Sequence, residues 1–274
     1  MDGIVIQAGM LGGLDVDVAA FRNASGATDL KAHDALARYL KAESLYTHSR
    51  WGSFKSAQAN GSGSTVNCLG GWGTSNITLV GSPPWAAGEM NFNGAGRYAY
   101  LDLTGFQSLS AGFIMTRFKP ANVSVADGGF YNRWFFGDIT GESNLGSSTS
   151  TGALSGETYT TFQDAGSAGS RTGSTSFSWT ANEDFTEVCK FGTFGSTAGI
   201  WKNDSSITMN LSAESQVFTP AATGYTANDR IYFSAGVTTT PSATLTGSWV
   251  VQFACKVDLT TAQREAIRAL IAAF

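Results

Sequence analysis

Proline, histidine and cysteine are scarce, with 5, 2 and 3 residues in a chain of 274. The cysteines, Cys68, Cys189 and Cys255, are far apart and odd in number, which argues against a disulfide scaffold or a close-spaced zinc site. Three buried thiols are expected instead. Charged residues make up only 14% and balance to −4, so there is no positive field to neutralise a row of phosphates. Nucleic acid is not an expected partner. No apolar run approaches the roughly 20 residues that cross a bilayer, and membrane insertion is not expected either. The segment after Met1 starts with Asp2 and has no Lys/Arg-rich stretch, so no secretory signal peptide is read there.

Catalytic signatures are also missing. His33 and His48 both lie in the N-terminal region, where a surface position is the default, and no Gly-x-Ser-x-Gly elbow exists. The Gly-rich stretches are not followed by Lys-Ser/Thr, which rules out a phosphate loop.

What the chain does have is 33 glycines, about 60 Ser and Thr, and 12% aromatics. That is a composition of short strands and many turns. Apolar and β-branched runs predict strands over Thr78–Val80, Arg97–Leu103, Gly112–Phe118, Trp134–Phe136, Glu187–Phe191, Arg230–Phe233 and Ser248–Ala254. In the last of these, Trp249, Val251, Phe253 and Cys255 fall on one face by alternation, and Val250, Gln252 and Ala254 on the other. Residues 141–178 are the least hydrophobic and read as long loops or strands with a wet face.

Two helical signals flank this region. Between Thr28 and Leu45, Leu36, Ala37 and Leu40 recur at helical spacing with Lys31, Arg38 and Lys41 outside. At the other end, Thr260 and Gln263 form a capping box ahead of Ile267, Leu270, Ile271 and Phe274, with Arg264, Glu265 and Arg268 facing water.

Residues 1–28 mix Gly3, Gly9, Gly12, Gly13 and Gly26 with apolar side chains, too apolar for a solvated linker and too Gly-rich for a stable helix. They read as an arm whose Ile4, Val5, Ile6, Met10, Leu11 and Leu14 dock on another subunit or add a strand to their own domain, which spans 29–274.

Three pieces in order carry a resemblance. The first is Ser64-Thr65-Val66-Asn67, Leu69-Gly70-Gly71-Trp72-Gly73, Thr78-Leu79-Val80-Gly81 and Asn91-Phe92-Asn93-Gly94-Ala95-Gly96-Arg97-Tyr98. The second is Thr186-Glu187-Val188-Cys189-Lys190-Phe191 followed by Ala198-Gly199-Ile200-Trp201-Lys202-Asn203-Asp204, with Asp204 where Gly is usual. The third runs from Tyr232-Phe233-Ser234-Ala235-Gly236 through Trp249–Phe253 to Asp258-Leu259-Thr260-Thr261-Ala262-Gln263. Together they resemble the concanavalin A-like lectin/glucanase (laminin G-like) superfamily. The resemblance implies an all-β fold, a two-sheet antiparallel jelly-roll sandwich with an N-terminal arm and a short C-terminal helix. It also implies a strand at Leu36–Ala42, against the helical spacing there, and strand is the reading preferred.

Glycosidases of that superfamily carry Glu-x-Asp-x-x-Glu, which is absent. The nearest grouping is Glu183, Asp184 and Glu187, and no enzyme activity is expected. Sugar recognition needs aromatic platforms beside planar hydrogen-bonding groups. Tyr131, Asn132, Arg133 and Trp134, read as an exposed loop after Asp127-Gly128-Gly129, supply both. Trp72, Trp85 and Trp201 with Asn203 sit beside turns, although filling the sandwich core is the plainer role for any single Trp. Calcium is the only cofactor for which ligand types gather, at Asp127, Asn132, Asp138 and Glu142. Their spacing matches no fixed loop, so no metal or cofactor is expected.

Domains of this resemblance recur in bacteriophage particles. The resulting expectation is a non-enzymatic virion protein, a capsid decoration, fibre or tail appendage, assembled in the host cytoplasm. Its partners would be other virion subunits, further copies of itself and host-surface glycan.

Overall fold

The computed structural model describes residues 13–59, 63–86, 88–92, 96–120, 130–137, 144–150, 157–162, 171–176, 182–193, 199–203, 205–207, 210–211, 217–218, 228–233 and 247–274. Two helices come first. Asp15 accepts a hydrogen bond from the Asp17 N–H at 3.0 Å and caps α1 (Val16–Ser25). Gly26 ends α1 in the left-handed region at φ 72°, donating to the Arg22 carbonyl. The glycines that mark residues 1–28 as an arm therefore flank a helix rather than preclude one. Leu14, Val18, Phe21 and Ala27 pack into the body of the protein. Ile4, Val5, Ile6, Met10 and Leu11 lie outside the described residues.

The second helix, α2 (Lys31–Ala42), corrects the strand expected at Leu36–Ala42. Its buried residues are Ala32, His33, Leu36, Ala37 and Leu40, a spacing that only a helix places on one face. Asp34 and Arg38, one turn apart, pair at 2.7 Å, and the Arg38 guanidinium also donates to the Gly13 carbonyl.

The strands follow: β1 (Ser49–Ser53), β2 (Thr65–Val66), β3 (Cys68–Leu69), β4 (Ile77–Val80), β5 (Trp85–Ala86), β6 (Glu89–Asn91), β7 (Tyr98–Asp102), β8 (Gly112–Pro120), β9 (Phe130–Gly137), β10 (Asn144–Ser150), β11 (Glu157–Phe162), β12 (Arg171–Ser176), β13 (Phe185–Thr193), β14 (Gly199–Lys202), β15 (Ser205–Ile207), β16 (Asn210–Leu211), β17 (Val217–Phe218), β18 (Arg230–Phe233) and β19 (Gly247–Cys255). They form two antiparallel sheets. The first, sheet A, runs β15-β14-β13-β8-β19-β1-β3, with β6 and β17 attached to β19 and β13 and β5 paired with β6. The second, sheet B, runs β16-β12-β11-β10-β9-β18-β7-β4-β2. The protein is thus the antiparallel two-sheet sandwich that the resemblance implies.

Two apolar cores separate three layers. Between the sheets, Ile77, Leu79, Ala99, Leu101, Phe136, Ile231 and Phe233 of sheet B meet Ile114, Phe118, Phe185, Cys189, Trp249 and Ala254 of sheet A. On the far side of sheet A, Trp51, Phe113, Met115, Val188, Val251 and Phe253 meet Phe21, Leu36, Leu40, Ile267 and Ile271 of the helices. The central strands β13, β8, β19 and β1 of sheet A are therefore buried on both faces. The helix that closes this layer, α3 (Thr261–Ile271), begins with the expected Thr260–Gln263 capping box, and Ile267, Leu270, Ile271 and Phe274 are buried.

Local irregularities set the details. In β19 the register slips between Trp249 and Val251, so Val250 is an extra residue opposite β8. Past this bulge the facing inverts: Trp249 lies between the sheets, while Val251, Phe253 and Cys255 face the helices. The single shared face expected from alternation is corrected accordingly. At Gly70, with φ +104°, a Cβ would lie 2.1 Å from the Ser49 carbonyl oxygen, so only glycine lets β3 approach the start of β1. All three cysteines are buried, as expected, and outside any disulfide, and burial pushes the Cys68 thiol up to about 11.

Candidate functional site

Tyr131, Asn132, Arg133 and Trp134 lie within β9 and not on a loop. Tyr131, Asn132 and Trp134 pair with Thr149, Ser148 and Ser147 of β10, and Trp134 also pairs with Phe233 of β18. The register shift between Ser147 and Ser148 leaves Arg133 as the extra residue of a bulge. Runs of Tyr, Trp and Phe favour extended pairing, which outweighs the preceding turn signal. The side chains of these four residues are outside the described set. So are Asp127, Asp138 and Glu142 of the calcium grouping, and among the described residues no three metal-ligating side chains gather.

The tryptophans beside turns mostly serve packing. Trp72 is buried between the sheets, its indole N–H donating to the Thr104 carbonyl at 2.9 Å. Trp201 is half-buried beneath the Arg268 guanidinium, 5.0 Å from its ring centroid, so Arg268 covers an aromatic ring instead of simply facing water. His33 is not a surface residue either. Its Nε2 donates to the Gln58 carbonyl at 2.8 Å and its Nδ1 accepts from the Trp51 indole at 3.0 Å. Phe21 and Phe274 pack on the same ring, and burial pushes its pKa down to about 4, opposed by the Gln58 hydrogen bond and Asp29.

Two of the three carboxylates nearest to a catalytic grouping, Asp184 and Glu187, face opposite sides of sheet A. Glu187 is buried on the inter-sheet face of sheet A, level with Thr116, whose hydroxyl bonds Gln252 at 2.8 Å. Asp184 is paired at 3.1 Å with Arg117, which also donates to the Ala272 carbonyl on the helix side. The two acids thus serve different faces of one sheet.

The outward face of sheet B has a different character. In β7, Ala99 and Leu101 point between the sheets, and in β18 so do Ile231 and Phe233. The alternation therefore turns Tyr98, Tyr100, Asp102, Arg230 and Tyr232 outward. Register sets Tyr232 beside Tyr100, and Arg230 beside Asp102. The Tyr98 and Tyr100 rings each lie 6.2 Å from that of Tyr232. Tyr232 is nearly covered by them, and Tyr98 and Tyr100 are half-buried. Arg230 lies 3.7 Å over the Tyr100 ring and grips Asp102 through Nε at 2.8 Å and Nη2 at 3.1 Å. That hydrogen-bonded pairing raises the Arg230 pKa further, while burial raises that of Tyr98. The start of β18 is fixed by Asp229, whose carboxylate accepts from the Gly105 and Gln107 amides.

Three rings and an ion pair therefore lie on one face of sheet B, Tyr232 covered by its neighbours and Tyr98, Tyr100 and Asp102 partly accessible. This face offers aromatic rings for stacking against C–H groups, N–H donors from Arg230 and acceptor lone pairs from Asp102. Sequence reasoning did not single these residues out. The signal was present as Tyr-x-Tyr-x-Asp over 98–102 and Arg-x-Tyr over 230–232, with apolar residues in every alternate position.

No family model matches the sequence, and no curated protein matches it. In three dimensions the chain is similar to the botulinum neurotoxin serotype D/C VPI 5993 binding domain, with a TM-score of 0.53 at 12% identity over 83% of this chain and 53% of that one. A second structure, described as a receptor binding domain, gives a TM-score of 0.51 at 12% identity over 85% of this chain and 53% of its own. The fold is that of a β-sandwich domain. The chain spans about half the length of these two proteins. A looser overlay, TM-score 0.45 at 13% identity over 68% of this chain and 95% of the other, is with the CBM40 module of the Ruminococcus gnavus IT-sialidase.

Proposed function

We propose that the chain is a non-enzymatic, lectin-like recognition module that presents the outward face of sheet B to carbohydrate. The observation that carries this reading is the asymmetry of the two sheets. The central strands of sheet A are sealed by helices, whereas sheet B leaves Tyr98, Tyr100, Asp102 and Arg230 partly accessible on one surface. Stacking aromatics beside a planar donor and acceptor pair are the elements of sugar recognition. The separation of Glu187 from Asp184 supports binding without hydrolysis, since glycosidases need two carboxyl groups flanking one bond. Tyr131–Trp134 belong to the same proposal, because β9 is the strand next to β18 in sheet B.

The finer reading is that the module is an appendage of a bacteriophage-type particle, with the residues preceding Leu14 as its attachment element and other subunits as partners. The buried thiols of Cys68 and Cys255 support assembly in a reducing cytoplasm. A glycan array probed with the full chain and with Tyr98→Ala tests the recognition role. Binding by the former that is lost in the latter is expected, and equal binding by both removes the face from the reading. Deletion of residues 1–12 is expected to abolish incorporation into particles, and unchanged incorporation overturns the attachment role.

A further inference from the structure

We infer that the outward face of sheet B selects neutral, extended oligosaccharides over acidic ones, and that the Arg230–Asp102 pair sets this preference. The inference rests on the carbohydrate-binding reading above and names the ligand class.

An acidic sugar is captured by a guanidinium whose charge is available. Arg230 is the cation described on β7 and β18 of this face, and its charge is matched by Asp102 through two hydrogen bonds. A uronate or sialate carboxylate approaching Arg230 would lie within a few ångströms of the Asp102 carboxylate, and like charges at that distance repel. A sugar hydroxyl meets no such penalty, because it both donates and accepts. Of the five N–H donors of Arg230, two are engaged with Asp102, leaving others for hydroxyl oxygens. The lone pairs of Asp102 that Arg230 does not occupy accept from hydroxyl hydrogens. The pair thus complements a vicinal diol better than a carboxylate.

Shape favours an extended ligand. The guanidinium lies flat on Tyr100, and Tyr98 stands two residues along the same strand, roughly 7 Å away. The stacking area therefore extends along the strand beyond a single ring. A chain of sugars lying along β7 uses it, whereas a monosaccharide contacts only part of it.

The test measures binding of the full chain to three probes: a neutral hexose oligosaccharide panel, sialyllactose and an oligouronate. Wild type is expected to bind members of the neutral panel roughly tenfold more tightly than either acidic probe. The Asp102→Asn variant keeps the shape and frees the Arg230 charge. It is expected to shift the preference toward the acidic probes, in a salt-sensitive manner. Tyr98→Ala is expected to weaken all three, with its far-UV spectrum unchanged. Tighter binding of an acidic probe by wild type overturns this inference and leaves the carbohydrate reading standing. An unchanged preference in folded Asp102→Asn overturns the role of the pair. No binding to any probe or to the wider array overturns both.

Discussion

The two sheets of this sandwich are built from the same kinds of residue but differ in what they face. β8 and β19 of sheet A carry Phe113, Ile114, Met115 and Val250, Val251, Phe253, Ala254, apolar on both faces apart from the hydrogen-bonded Thr116 and Gln252, because helices cover one side and sheet B the other. β7 and β18 of sheet B alternate strictly, Ala99 and Leu101 against Tyr98 and Tyr100, and Ile231 and Phe233 against Arg230 and Tyr232. An uninterrupted apolar strand needs two covers, and an alternating one needs a single cover. Among the described residues, the difference locates the helical layer and the uncovered surface at once.

Substitutions that remove one cover should show the largest effects. Trp51→Ala empties a fully buried site facing the helices and removes the hydrogen bond to His33. It is expected to destabilise the protein by about 3–5 kcal/mol in urea unfolding. Acid should act on the same layer. His33 in the folded protein has its pKa near 4, below its ordinary 6.5, so the unfolded chain takes up a proton that the fold excludes. Stability is complete above about pH 6.5 and is expected to fall by roughly 3 kcal/mol as the pH drops to about 4. In His33→Leu that slope should flatten, whatever its baseline stability, and an unchanged slope would place the acid sensitivity elsewhere.

The helix cap matters less. Thr260→Ala is expected to cost about 1 kcal/mol, because one amide of the first turn of α3 loses its acceptor. Smallest of all should be Tyr98→Ala on the free face, within about 1 kcal/mol of wild type in the same urea titration. A loss comparable to that of Trp51→Ala would mean that sheet B is not free, and the contrast between the sheets would fail.

The strands were legible because burial on one or two faces leaves its period in the chain: Arg230–Phe233 matches at both ends, and Gly247–Cys255 extends its expected run by one residue at each. The bulge at Val250 left no such mark, since all its neighbours are apolar and either facing is acceptable locally. Helix α2 could be read from Leu36, Ala37 and Leu40, and a family resemblance misdirected the reading toward strand. Helix α1 was hidden because glycine looks the same as a stop signal and as a component of a pliant arm. The outward face of sheet B was half visible. The Tyr-x-Tyr and Arg-x-Tyr alternations lie within expected strands, but the pairing of Asp102 with Arg230 joins segments 128 residues apart, and nothing local encodes it. The choice of Tyr131–Trp134 followed a glycine turn signal, which set those residues on a loop when they extend the neighbouring strand.

The hydrogen bond from Arg38 to the Gly13 carbonyl fixes where the chain enters the helical layer. Sheet spacing and a helix diameter together put that entry point roughly 20 Å from the tyrosines. A sensor chip coupled ahead of Leu14 would hold every molecule in one orientation, its aromatic surface directed into the flowing solution. Coupling through Phe274 would instead pull on a ring lodged against His33 and prise the helices from their seat.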